Sequence, residues 1–128
     1  MDCEPRSPLA IRSLTFDCAD PRVVAPFWAA ALGYRLEGTD QQMGIAVDPA
    51  GRRPRLLFLR VPEPKAAKNR LHLDLRGGDM DAEVARLVSL GAAVVQTFEK
   101  PGDVFTVMRD PEGNEFCVEH DPTARAQP

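Results

Sequence analysis

A pattern that occurs twice limits what this chain can fold into more than any other feature. Arg12–Cys18 alternates apolar and polar residues, Asp20-Pro21 follows, and a helical run ends at Gly33. Arg70–Arg76 alternates in the same way, Gly78-Asp79 follows, and a second helical run ends at Gly91. Asp48-Pro49-Ala50-Gly51 is echoed by Asp110-Pro111-Glu112-Gly113. Both pairs of markers lie about 60 residues apart in a chain of 128 residues, so two units account for nearly all of it.

Each unit parses alike. In Arg12–Cys18 the residues Leu14, Phe16 and Cys18 fall on one side, and Ser13, Thr15 and Asp17 on the other. That alternation predicts a strand with one apolar face. Asp20 can cap the next helix, and Pro21 suits its first position, where the missing N–H has no partner to lose. Val24, Phe27, Trp28, Ala31 and Leu32 recur at helical spacing and predict a buried stripe. Pro26 deletes one internal hydrogen bond and predicts a bend. Strands are then expected at Tyr34–Glu37, Met43–Val47 and Arg55–Val61.

The second unit predicts a strand over Arg70–Arg76, with Leu71, Leu73 and Leu75 inward and His72, Asp74 and Arg76 opposite. Asp79 caps a helix carrying Met80, Val84, Leu87 and Val88, and strands follow at Ala93–Phe98, Val104–Arg109 and Glu115–Glu119. The expected fold is α+β: two tandem βαβββ modules forming a curved, half-barrel-like sheet around a shared cleft, with the helices outside. One domain spans 9–120, with modules at about 9–61 and 70–120, a polar linker at 62–69, and flexible tails at 1–8 and 121–128.

Composition removes several classes of function. The formal net charge of −3 lacks the basic excess that a general nucleic-acid binder needs. No apolar run approaches the ~20 residues that span a bilayer. Met1–Ala10 carries two acidic residues and no apolar core of a signal peptide. Cys3, Cys18 and Cys117 are odd in number and widely spaced, which fits a reducing cytoplasm rather than a disulfide framework.

Four stretches carry a family resemblance. They are Phe16–Pro21, Phe27–Gly33, Val61–Leu75 with its Lys68-Asn69-Arg70-Leu71-His72-Leu73-Asp74-Leu75 end, and Asp110–Phe116 with its DPEGN turn. On these the chain resembles the vicinal oxygen chelate superfamily, in its glyoxalase-like domain branch, from about Leu9 to His120. The superfamily includes glyoxalase I, extradiol dioxygenases, fosfomycin-resistance enzymes and bleomycin-binding proteins. The resemblance implies the duplicated fold read above. For many members it also implies a divalent metal held by one residue from the first strand and one from the last strand of each module.

Carried over position by position, that set is Ser13, Leu59 (or Leu57 on the same face), His72 and Cys117. Only His72 is a strong ligand, so no bound cofactor and a degenerate metal site are expected. A His72–Cys117 pair could still hold zinc with help from Asp74 or Glu115. The expected ligand-binding residues are Thr15, Asp17, His72, Asp74, Arg76, Glu115 and Cys117, lining a pocket between the sheets. His72 with Asp74 is the candidate acid–base pair, and Asp17 with Asp74 are carboxylates placed alike in the two modules. The expected function is retention of a small organic ligand. A metal-dependent lyase, isomerase or transferase of the glyoxalase type is the first alternative, and a non-catalytic dimerisation module the second. The expected partners are a small molecule and a second copy of the chain, with no nucleic acid and no membrane.

Overall fold

The computed structural model of the protein describes residues 6–124. The outer parts of both expected tails, 1–5 and 125–128, lie outside the described residues. The first module runs β1 (Ser13–Cys18), α1 (Pro21–Leu32), β2 (Arg35–Thr39), β3 (Met43–Val47) and β4 (Arg55–Arg60). The second runs β5 (Leu73–Arg76), α2 (Met80–Leu90), β6 (Ala93–Lys100), β7 (Asp103–Arg109) and β8 (Glu115–Glu119). The duplicated βαβββ order is therefore present. Among the described residues no helix is long and apolar enough to cross a membrane.

The two sheets share one topology. Strand order is β1-β4-β3-β2 in the first and β5-β8-β7-β6 in the second. In each, the first strand pairs in parallel with the last, and the other pairs are antiparallel. The crossover helix makes the parallel pair possible, since parallel neighbours need a long connection. No ladder joins β1 to β5, so the two sheets stay open along those edges.

Capping explains where the helices begin. The Asp20 carboxylate accepts from Arg22 N–H at 3.0 Å, and the Asp79 carboxylate from Ala82 N–H at 3.0 Å. Gly33 ends α1 in the left-handed region at φ 68°, where a side chain would be strained. Pro26 lies within α1, yet the helix continues through it. Its ring is on the exposed side, where water can take the place of the lost N–H donor.

The core is asymmetric. Val24, Ala25, Phe27, Trp28 and Ala29 of α1 are buried, against Met80 and Leu87 of α2. Trp28 is the centre of an aromatic cluster, with ring centroids 5.4 Å from Phe16, 5.3 Å from Phe27 and 5.0 Å from Phe116. Phe116 belongs to β8, so the helix of module 1 packs against the sheet of module 2. Close approach of α1 to its own sheet depends on Gly44, where an added Cβ would lie 2.9 Å from Ala25 Cβ.

Polar contacts fasten the modules further. Trp28 Nε1 donates to Asp110 Oδ2 at 2.9 Å in a buried site. Glu112 accepts from Ala19 N–H at 2.6 Å and Asp20 N–H at 2.7 Å, one oxygen to each. Arg86 of α2 donates to the carbonyls of Ala30 and Ala31, at 3.1 and 2.9 Å, near the C-terminal end of α1. That guanidinium satisfies carbonyls that have no partner within the helix.

Two expectations are corrected. The strand expected over Arg70–Arg76 begins only at Leu73, and Leu71 is 75% exposed rather than inward. β8 offers no partner that far back: its ladder starts at Phe116 opposite Leu73. The chain ahead of it is held by Glu115 instead, whose carboxylate accepts from Asn69 N–H at 2.9 Å. On α2, Val88 is exposed and only Leu87 of that turn is buried, because the second sheet meets the helix along a narrower stripe.

Candidate functional site

The parallel β5–β8 ladder builds the densest group of chemistry-bearing side chains. Its register sets Leu73 beside Phe116 and Asp74 beside Cys117. Phe116 is buried in the core, so Asp74 and Cys117 project from the opposite face. His72 precedes β5 by one residue and returns to the same side. Its Nε2 lies 3.1 Å from Asp74 Oδ1. One donor atom each of His72, Asp74 and Cys117 lies within 4.8 Å of the others. Burial, together with the negative charge of Asp74 and then Glu119, pushes the Cys117 thiol up from its ordinary value.

The other expected residues lie elsewhere. Arg76 pairs with Glu119, its Nε 3.3 Å from the carboxylate, one step along the same face. Glu115 is turned toward the linker, where Lys65 Nζ lies 3.2 Å from its carboxylate. The Asn69 backbone N–H, then Lys65, holds the Glu115 carboxyl down to about 2. Thr15 and Asp17 are exposed on β1. Asp17 and Asp74 are not counterparts in the repeat. Asp17 lies three residues before the capping Asp20, as Arg76 does before Asp79, and Thr15 is the equivalent of Asp74. A shared proton between like-placed carboxylates is therefore not built into the fold.

The register also settles which residue of β4 answers to Cys117. Thr15 pairs with Leu57 as Asp74 pairs with Cys117, so the equivalent is Leu57, and Leu59 stands opposite Asp17. In module 1 the metal positions implied by the resemblance thus carry Ser13 and Leu57. Ser13 Oγ accepts from Arg55 Nε at 2.7 Å. A leucine supplies no donor, and the guanidinium beside Ser13 repels a cation. The four residues do not fit a divalent ion shared between the modules.

Two of the cavities walled by both modules lie along β1, and a third, of about 200 Å³, lies where α1 meets α2, with Arg76 among its lining. Of the two along β1, the smaller, of about 280 Å³, opens where β1 faces β5, with Ser13, Thr15, Asn69, Leu71 and Glu115 among its walls and Trp28 and Phe116 beneath. The larger, of about 780 Å³, lies between the end of β1, the linker and the turn before β8. Asp17, Cys18, Lys65, Glu112 and Asn114 line it. His72, Asp74 and Cys117 line none of the three, so the seven expected residues divide between the inter-module cavities and the β5–β8 face. Cys18 is buried, and burial, with Glu112 adding negative charge, raises its thiol to about 11.

Sequence reasoning missed Asp110, Glu112, Lys65 and Asn69 as site-building residues. The DPEGN turn reads locally as a turn, and nothing within it tells that Glu112 reaches a segment about 90 residues away. Trp28 was read only as core, although its ring also forms the floor of the smaller cavity.

Comparison with known proteins places this geometry. No curated protein matches the chain significantly in sequence. Among solved structures, a possible glyoxalase from Bacillus cereus is 19% identical, with 87% of this chain and 98% of that one covered and a TM-score of 0.66. An enzyme of the glyoxalase/bleomycin resistance protein/dioxygenase family from Burkholderia phytofirmans PsJN is 14% identical over 84% and 95%, with a TM-score of 0.69. The bleomycin-binding protein of Streptomyces verticillus, solved with copper(II)-bleomycin, is 20% identical over 94% and 99%, with a TM-score of 0.58. These likenesses show the fold. The sequence model of the glyoxalase-like domain matches residues 13–119, nearly the whole of both modules, and the chain belongs to that family.

Proposed function

We propose that the protein binds a small organic molecule in the inter-module cavities along β1, without the divalent ion that the resemblance implies for many relatives. The observation that carries this reading is that pair of cavities, each walled by both modules. Aromatic and aliphatic side chains lie beneath the smaller one, and Thr15, Asn69 and Glu115 stand at its sides. An apolar floor with a few placed polar groups suits a compact molecule with an apolar body and a hydrogen-bonding end. The finer assignments go with it: Thr15, Asp17 and Glu115 contact the ligand, and His72 with Asp74 is available as an acid–base pair. Half-buried Ile45, Leu57 and Leu59, on the face of module 1 away from α1, support association into a homodimer. The free thiols Cys18 and Cys117 suit a reducing cytoplasm.

Trp28 makes the test direct, because it is the only tryptophan and lines the smaller cavity. Screening a metabolite library by Trp28 fluorescence is expected to give saturable changes at micromolar concentration. Thr15→Phe, which fills the cavity from β1, is expected to weaken them at least tenfold. Absence of any saturable ligand would remove the proposal. The glyoxalase alternative is tested by turnover of the methylglyoxal–glutathione hemithioacetal with zinc, nickel, manganese or iron added, and no turnover is expected. Sedimentation analysis reads the oligomeric state.

A further inference from the structure

The third cavity, where α1 meets α2, shares no lining residue with the two along β1, and the ligand proposed for those does not account for it. We propose that it is a separate binding site for a small organic carboxylate with a compact apolar body. Arg53 of module 1 would hold the carboxylate, and an apolar recess between the helices would hold the rest.

Size and lining are the first support. The cavity measures about 200 Å³. Leu87 of α2 and Val118 of β8 line it and are buried, and Leu32 of α1 and Leu75 of β5 line it half-buried. Its volume is below the ~300–1,000 Å³ of drug-sized sites, so it suits a single ring or a short branched chain. Gly77 lines one side at φ 147°, so that side carries backbone and no side chain to fill the space.

Charge is the second support. Arg53, Arg76 and Arg86 line the cavity against one carboxylate, Glu83, in a chain whose net charge is −3. Two of the three are engaged. Arg86 pairs with Glu83 at 3.1 Å and donates to the Ala30 and Ala31 carbonyls, and Arg76 pairs with Glu119 at 3.3 Å. Arg53 is the one left over. Its backbone N–H donates to Asp48 at 3.0 Å, but among the described residues its guanidinium makes neither a hydrogen bond nor an ion pair. A spare guanidinium offers a planar fork that a carboxylate accepts in two parallel bonds. The recess then takes the apolar body out of water. An inorganic anion would use the fork and leave the recess empty, and a neutral apolar molecule would leave the fork unpaired. The ligand would touch both modules, so it stabilises their packed arrangement by binding it.

The experiment titrates the full chain with benzoate and follows backbone amide and arginine Nε–H signals by NMR. Saturable shifts are expected at Arg53, Gly77 and Leu87, with a rise in melting temperature. Benzamide, the neutral isostere, and inorganic phosphate, an anion without an apolar body, are each expected to bind at least tenfold more weakly. Arg53→Gln is expected to weaken benzoate at least tenfold and to leave the melting temperature of the free chain in place, since that side chain has no partner to lose. Arg52→Gln, one residue away and outside the cavity, is expected to change the affinity by less than about twofold, which separates the site from general attraction to a basic turn. Absence of saturable benzoate shifts, equal binding of benzamide or phosphate, or equal losses in Arg52→Gln and Arg53→Gln overturns the proposal. So does benzoate binding that Thr15→Phe removes, which would put the molecule in the smaller cavity along β1. Ligand retention reported by Trp28 belongs to that cavity, so either proposal can fail while the other stands.

Discussion

The two modules share a topology and divide the labour. Module 1 supplies the core: its helix buries an aromatic face that reaches across to β8, and its strands face the cavities with few ionisable donors. Module 2 carries the denser set of donor side chains: His72, just ahead of β5, meets Asp74 and Cys117, and its helix is lightly packed. Trp28 and Leu87 make the contrast concrete. Each lies eight residues after its capping aspartate, and each is buried. One is an indole with three aromatic neighbours and a hydrogen bond to Asp110, and the other an aliphatic chain. Duplication fixed the positions, and side-chain size then decided which copy anchors the fold.

That reading can be broken most decisively at Trp28. Trp28→Ala removes the ring from the cluster and one hydrogen bond from the Asp110 carboxylate, which keeps those from Glu112 and Asn114, and a cost of about 3–5 kcal/mol, most of it from the lost ring, is expected. Leu87→Ala is expected to cost about 2–3 kcal/mol, the low end for such truncations, because α2 contributes few buried neighbours. Urea denaturation of the two variants measures the difference. Equal losses would mean that the modules carry the core equally.

Glu112 comes next. Its carboxylate holds two backbone N–H groups at the entry to α1, and charge-assisted bonds of this kind contribute about 1.5–3 kcal/mol in all where one partner is partly buried. Glu112→Ala is expected to cost about 2 kcal/mol. The matching turn residue in module 1 is Ala50, which has no side chain to span the modules. Ala50→Glu is expected to change stability by less than about 0.5 kcal/mol, as surface substitutions do. Thermal unfolding of both variants tests whether the clamp belongs to module 2 alone.

A smaller effect is expected where the helices meet the sheets. Gly44 of β3 and Thr106 of β7 are equivalent, since each pairs with the second buried residue of its last strand, Phe58 or Val118. A methyl group at Gly44 would strike Ala25, whereas module 2 accommodates a threonine hydrogen-bonded to Thr97 at 2.9 Å. Gly44→Ala is expected to cost about 1–2 kcal/mol through overpacking, and Thr106→Ala about 1 kcal/mol through the lost bond. The order of the two melting temperatures shows whether α1 is seated closer to its sheet than α2.

The module contrast also explains which features were legible in the sequence. Alternation placed Met43–Val47 and Glu115–Glu119 at their observed limits, because both strands have one face on the core and the other not. The repeat itself was legible because cap residues mark helix ends locally. His72 was expected inside a strand because Arg70–Arg76 alternates without a break. Pairing stops at Leu73, since the partner strand begins after the Asn114 turn, and alternation contains no information about a partner's length. The equivalence of Asp17 with Arg76, by contrast, was legible, since each lies three residues before its capping aspartate, Asp20 or Asp79. Asp110 and Glu112 looked like turn residues because their contacts with Trp28, Ala19 and Asp20 are made far along the chain.

The last contrast is one of titration. Arg55 and Glu115 hold the same place in the two modules, each just ahead of the buried first residue of its last-strand stripe, Leu56 or Phe116. Of the two, only Glu115 is a carboxylate, and it is held down to about 2, against 4.5 for a free side chain, by the Asn69 N–H and then Lys65. The folded pKa is the lower one, so below about 4.5 the unfolded chain binds the extra proton. The contribution of Glu115 is therefore complete above that pH and is lost as pH falls toward 2. One proton limits the slope to about 1.4 kcal/mol per pH unit. Glu115→Gln is expected to flatten this part of the acid limb, and Arg55→Gln to leave it in place. Urea midpoints measured between pH 5 and pH 2 compare the two. A slope that survives Glu115→Gln would assign acid sensitivity to other carboxylates and remove this asymmetry between the modules.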